Sequence, residues 1–296
     1  MRKWIVSGLA LLALAGLVAC SPLNTPVAAQ GNSNPSVVIV NKGSDTIVNL
    51  ALAWAEAYHA ETPSVNVSVT GGGTGTGIAA LLNHTTDIAN ASRQISAEEL
   101  ADAQKNGVNP NEIVIARDAI AVIVNPRNPV SELTLQQISD IYSGKINNWK
   151  EVGGEDRPIV RLSRETNSGT HVYFLETVLR LGDRNSKTLF DPKTLLLPSS
   201  EGITMEVRDN PNAIGYDGLG YVTAEVKMVR VAGKDGGGYV LPSAESVNNN
   251  TYPIARELYM YTDGQPTGAI KAYLDWILGA EAQKIVLNLG FVPVTQ

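Results

Sequence analysis

Hydrophobic positions recur along this chain with two periods, and the switches between them mark its elements. Val65, Val67 and Val69 alternate with polar residues, the period of a half-buried strand. Ile78, Leu81 and Leu82 then recur at helical spacing. Between them lies Gly71-Gly72-Gly73-Thr74-Gly75-Thr76-Gly77, so the pattern predicts strand, glycine-rich turn, helix. Such a turn leaves backbone N–H groups free at the positive end of a helix. The hydroxyls of Thr74 and Thr76 add donors beside the amide of Gly75, and the set suits an anion. Read alone, the segment also fits a flexible glycine loop with no ligand.

The same unit occurs twice more. Val37 to Val40 is a short apolar run, as in a strand buried on both faces. Lys42-Gly43-Ser44-Asp45-Thr46 follows, and Ile47, Leu50, Ala51, Trp54 and Tyr58 mark a helix with Ser44 or Asp45 as its N-cap. Farther on, Pro158 to Arg164 reads as a strand and Glu165-Thr166-Asn167-Ser168-Gly169-Thr170 as polar loop. Val172, Leu175 and Leu179 then fit a helix closed by Gly182.

Asp87 to Arg93 is short, partly apolar, and ends on Ser92 and Arg93. Ser96 with Glu99, and Thr134 with Gln137, form capping boxes for helices that Gly107 and Gly144 stop. Ala213 to Val222 predicts short strand, Ile270 to Ile277 a long helix, and Ile285 with Leu289 a shorter one. Two β-rich runs, Glu112 to Asn125 and Tyr252 to Tyr261, are long enough to pass between lobes.

Strands alternating with helices predict an α/β protein, and in open α/β sheets ligands sit at the carboxyl ends of strands. All three polar loops follow strands and open helices. Two α/β lobes facing across a cleft satisfy this, with an anion between helix starts. Lobe 1 would comprise 37–117 plus 250–296, and lobe 2 would comprise 118–249.

Composition adds limits. The chain has 296 residues, 44% hydrophobic and 18% charged, which suits a globular protein with a real core. Its net charge of −6 argues against a nucleic-acid partner. Arg2 and Lys3 precede an apolar stretch from Trp4 to Leu17, short for a membrane span and typical of a signal peptide over 1–20. Cys20 is the only cysteine, so no intramolecular disulfide can form. Its setting resembles a bacterial lipoprotein lipobox, which makes it a lipidation site. Residues 21–36 read as a flexible tether. The expected location is extracytoplasmic, lipid-anchored at the membrane.

Enzyme signatures are weak. Asn167-Ser168-Gly169 is not a Gly-x-Ser-x-Gly elbow. His59, His84 and His171 have no partner implied by spacing, although His171 enters a helix beside the third loop. No cluster has metal-ligand spacing, and the glycine loop lacks a Gly-Lys-Ser/Thr ending. Neither a metal nor a cofactor is expected.

In order and register, the segments 42–46, 71–77, 87–93 and 164–170 resemble the PstS family, the phosphate-binding components of phosphate ABC transporters. Leu133 to Trp149 and Asn250 to Ile254 are similar to that family too, so the resemblance covers essentially the whole mature chain. It implies a type II periplasmic-binding-protein fold, with two lobes joined by crossing strands and the ligand in the cleft. It implies inorganic phosphate as ligand, an ABC permease as partner, a monomer, and no catalysis. Carried over residue by residue, Ser44, Asp45 and Thr46 resemble the first phosphate loop. Thr74, Gly75 and Thr76 stand in the second. Arg164 resembles the binding arginine, and Ser168, Gly169 and Thr170 the Ser-Gly-Thr that wraps the anion.

There are two departures. Ser92-Arg93 stands where some members carry the aspartate that accepts the phosphate proton, and Thr166 stands where many carry a carboxylate. Asp45 is the expected substitute acceptor, with Arg93 balancing its charge or touching the anion; an N-cap is the alternative role for Asp45. A receptor for sulfate, arsenate or molybdate, and a hydrolase of phosphate esters, are the competing functions.

Overall fold

The protein is described by a computed structural model covering residues 36–294. The leader with Cys20, and the tether up to residue 35, lie outside the described residues. The chain alternates strand and helix: β1 (Val37–Gly43), α1 (Asp45–Glu61), β2 (Val65–Thr70), α2 (Thr74–Leu82), β3 (Ile88–Ala91) and α3 (Ala97–Lys105). The fifteen-residue β4 (Pro110–Val124) follows. Next come β5 (Glu132–Thr134), α4 (Leu135–Tyr142), β6 (Val160–Arg164), α5 (Gly169–Phe174), β7 (Leu195–Leu197), α6 (Ser200–Asp209) and β8 (Ala213–Gly218). The chain continues through β9 (Lys227–Met228), β10 (Arg230–Gly233), β11 (Gly236–Val240) and α7 (Ala244–Asn248), and ends with β12 (Ala255–Asp263), α8 (Gly268–Ile277) and α9 (Ala280–Asn288).

The architecture is α/β, as the alternating pattern predicts. One sheet runs in the order β2-β1-β3-β12-β4-β8-β6-β7, with β9 also on β4; β11-β10-β5 forms a small second sheet. The non-sequential neighbours place strand ends, and the loops that leave them, at a common seam. The long β4 serves both halves of the main sheet. Its first part pairs antiparallel with β12, and Ile120 to Val124 pair with β8. In the β4–β12 ladder Asp118 faces Arg256 directly. The register then slips by one residue between Leu258 and Tyr259, a β-bulge that bends the strand.

Apolar side chains gather on either side of this junction. One core holds Ile39, Ile47, Trp54, Leu258, Met260 and Tyr273. The other holds Ile120, Val122, Tyr142, Trp149, Phe174 and Tyr216. In the second, Phe174 stacks on Tyr216 at 3.6 Å between centroids, with Tyr142 edge-on to both. Both predicted capping boxes are present, Ser96 with Glu99 and Thr134 with Gln137.

Some expectations need correction. Val37 and Val38 are exposed, because the start of β1 pairs with β2 alone and β3 joins only at Asn41 to Gly43. The helix after Gly169 is not uniform: α5 passes into a π turn at Leu175–Leu179 before Gly182. α6 and the β9–β11 region form without a clear periodic signal in the sequence. No described helix is long and apolar enough to cross a membrane.

Candidate functional site

Three helices begin at the seam, each straight after a strand. Glycine permits their close approach. A Cβ on Gly77 would lie 2.6 Å from both Gly43 Cα and Lys42 O, so only hydrogen there lets α2 seat against the end of β1. A Cβ on Gly169 would fall 2.6 Å from Ser92 Oγ and closer still to Thr74 Oγ1. The start of α5 therefore touches the start of α2 and the end of β3.

The result is a knot of buried hydroxyls. Ser44 occupies the N-cap position of α1 but does not cap; its hydroxyl donates to Ser92 Oγ at 2.9 Å. Ser92 Oγ lies 3.2 Å from Thr74 Oγ1, which also accepts from the Ser92 amide at 3.0 Å. Thr46 and Thr170 share a hydrogen bond of 2.7 Å between their Oγ1 atoms. All five side chains are essentially inaccessible. The first-turn amides of the three helices have no preceding carbonyl within their helix to bond.

Arg256 ties these groups together. It donates from Nη1 to the Ser92 carbonyl at 2.9 Å, and from Nη2 to Thr170 Oγ1 at 2.9 Å and Thr46 Oγ1 at 3.4 Å. Its Nε and Nη2 both reach Asp118 Oδ2, at 3.2 and 2.9 Å. Burial pushes the Asp118 carboxyl up, against the pull of Arg256.

Arg164 forms the second charged group. Its Nη2 donates to Asp45 Oδ2 at 2.8 Å and to the Pro198 carbonyl at 2.7 Å, and Nη1 to Ser200 Oγ at 2.8 Å. Asp45 Oδ1 accepts from the Gly72 amide at 3.0 Å. Asp45 thus supplies the carboxylate for Arg164 that Thr166 does not.

Of the residues singled out from sequence, Ser44, Thr46, Thr74, Ser92, Gly169 and Thr170 come together, with Asp45 and Arg164 paired beside the glycine loop. Ser168 caps α5 through the His171 amide at 3.5 Å. Gly75 spends its amide on the Asn167 carbonyl at 3.0 Å, and Thr76 Oγ1 meets Asn167 Nδ2 at 3.4 Å, so both bond the third loop. The guanidinium of Arg93 is taken up by Glu99, two bonds of 2.8 Å each, and is not brought to the hydroxyls. The expected pairing of Arg93 with Asp45 is absent among the described contacts, because the capping carboxylate of α3 is nearer.

Sequence reading missed Arg256, Asp118, Ser200 and Asp217. A signal existed for the first two: Arg117-Asp118 and Arg256-Glu257 interrupt the two β-rich runs, and a charge buried there must pair. His171 Nδ1 lies 3.1 Å from Ser163 Oγ, which meets Tyr216 OH at 2.5 Å. Burial holds the imidazole below its usual range, and no carboxylate hydrogen-bonds to it.

Comparison with known proteins adds an independent view. The family model described as the PBP superfamily domain matches residues 27–281. The chain is 34% identical to the phosphate-binding protein PstS of Pseudomonas aeruginosa, over 85% of this chain and 81% of that one. It is 32% identical to PstS of Bacillus subtilis, over 90% and 84%. Among solved structures, one from Clostridium perfringens with bound phosphate, assigned to a phosphate ABC transporter, is 34% identical at a TM-score of 0.77, covering 87% of this chain and all of that one. An ABC-type phosphate transport receptor from Vibrio cholerae is 27% identical at 0.68, over 86% and 99%.

Proposed function

Because the chain belongs to the PstS family of phosphate-binding proteins, within the PBP superfamily, we propose that it captures inorganic phosphate at the hydroxyl knot and delivers it to an ABC importer. The observation that carries this reading is the convergence of five buried hydroxyls and two buried guanidiniums on three helix starts. Phosphate offers only oxygen, and every one of these groups can donate to oxygen. Ser44, Thr46, Thr74, Ser92 and Thr170 bond the anion, the amides of Gly169 and Thr170 receive it at α5, and Arg164 and Arg256 hold its charge. Ser168 and Gly75 shape the loops that carry these groups.

Most of the two apolar cores follows the lobe assignment of 37–117 plus 250–296 against 118–249, with β4 and β12 as the crossing strands; Tyr252, Ile254 and Val292 pack with the second core and Tyr221 with the first. Asp118 and Arg256 then sit on the hinge. The chain works outside the cytoplasm as a monomer, anchored through lipid on Cys20, and hands its ligand to membrane permease subunits. Its role is binding and not catalysis: its relatives are binding proteins, and Ser163 and His171 are buried, with Ser163 bonded to the Tyr216 hydroxyl.

Calorimetry and thermal melts with phosphate test the reading. A ligand at about 100 times its Kd stabilises the native state by about 2.7 kcal/mol, so a clear rise in Tm is expected. An unchanged Tm together with no heat of binding would refute it.

Discrimination against sulfate has its own test. Sulfate carries no proton at neutral pH, so a carboxylate that accepts from phosphate repels sulfate. Asp45→Asn should lower the phosphate-to-sulfate affinity ratio by about tenfold or more, the scale of one hydrogen bond to a charged group. An unchanged ratio would leave Asp45 as the partner of Arg164 alone. Arsenate, similar in shape and protonation, should compete with phosphate in wild type and variant alike.

A further inference from the structure

Three carboxylates, Asp45, Asp118 and Asp217, are tied to the two guanidiniums of the knot. Asp45 and Asp118 each bond an arginine directly. Asp217 does not. Its Oδ1 accepts from Ser200 Oγ at 3.0 Å and from the Gly218 amide at 2.7 Å, and Ser200 in turn accepts from Arg164. Its Oδ2 is buried with no hydrogen-bond partner, and the whole side chain is inaccessible. Asp217 is therefore the least compensated negative charge near the knot.

Its surroundings can be named element by element. Arg164 on β6 and Arg256 on β12 draw the carboxyl down. Asp118 on β4 and Asp45 on α1 bring negative charge to those same arginines. Glu201 on α6 adds more at the rim, where it accepts from Asn49. Tyr216 and Tyr221 are phenols held neutral by burial. Burial outweighs the pull of the arginines and leaves the Asp217 carboxyl pushed up to about 6.

An anion bound at the knot draws on the same guanidiniums that offset Asp217. Bringing that charge into a low-dielectric site disfavours any other negative charge nearby. We propose that Asp217 takes up a proton when phosphate binds, so that capture of the anion is coupled to protonation of a buried carboxyl outside its contact shell. The proton comes from solvent and goes to Oδ2, the oxygen that accepts no hydrogen bond. This coupling rests on the phosphate reading above.

The sign follows from linkage. A group that binds a proton more tightly in the complex makes affinity fall as pH rises above its free value. Asp217→Asn fixes the neutral form and removes that dependence. Phosphate's own ionisation is common to both proteins and drops out of their comparison. Calorimetry should be run from pH 6 to 8.5 in buffers of different ionisation enthalpy. Wild type should take up more protons per phosphate than the variant at pH 7.5. The variant should bind about tenfold tighter or more at pH 8, with the two Kd values converging towards pH 6. A second readout needs no substitution. In wild type with isotope-labelled aspartate, adding phosphate at pH 7.5 should bring up the infrared carbonyl band of a protonated carboxyl. Equal proton counts with parallel Kd curves, or the absence of that band, would overturn the coupling. Absence of phosphate binding in both proteins would instead overturn the phosphate reading, and the coupling with it.

Discussion

Arg164→Ala is expected to weaken phosphate binding by about 2–5 kcal/mol, a factor of about thirty to several thousand in Kd. The guanidinium is almost fully buried and spans acceptors on three segments: Asp45, the Pro198 carbonyl and Ser200. Truncation removes a charge-assisted donor from the anion and strips Asp45 of its counter-charge, which then repels the ligand. Arg164→Lys keeps the charge but loses the planar fork, since one ammonium cannot reach those acceptors and the anion together. Its affinity should fall between wild type and alanine. Calorimetry decides the matter, and near wild-type affinity in the alanine variant would remove Arg164 from the site.

The second large effect concerns stability. Asp118 is wholly buried, and Arg256 is the cation that hydrogen-bonds to it. Arg256→Met should cost about 3–5 kcal/mol of folding free energy, because it leaves a buried charge uncompensated. Replacing both partners with apolar residues, Asp118→Leu with Arg256→Met, removes the stranded charge and should recover much of that loss. Urea unfolding of the two variants measures it. A single variant as stable as wild type would show that the pair matters little to the fold. The double variant should still bind phosphate poorly, since Thr46 and Thr170 lose the donor that orients them.

How much of this was legible depended on how far apart the cooperating residues lie in the chain. Each helix start carries a local signature: glycines at 71–73, a capping hydroxyl at Ser96 or Thr134, periodic apolar residues after each loop. These are decided within a few residues, so the strand–loop–helix units and most of the hydroxyls could be read directly. Asp118 and Arg256 meet across 138 residues, in a ladder whose register shifts at a bulge. Nothing local says that they face each other. Ser200 opens α6, which has no clear periodic signal, and Asp217 lies in the short buried strand β8, whose pattern does not say that its acid reaches the site. Arg93 shows the opposite failure. It adjoins Ser92 in sequence, yet side-chain direction takes it to Glu99, the capping-box carboxylate of α3.

The hydroxyl knot has one more consequence. The bond between Thr46 and Thr170, and that between Thr74 and Ser92, can each run in either direction, because either oxygen can supply the hydrogen. Hydroxyl hydrogens are rotors, and turning one moves no heavy atom. The knot can thus change polarity in place, offering a hydrogen to one ligand oxygen or a lone pair to another. A monoanion with two protons and a dianion with one can then be met by the same rigid backbone. Adaptability resides in the lightest atoms of the site, while its heavy-atom shape rests on helix starts that Gly77 and Gly169 let approach closely.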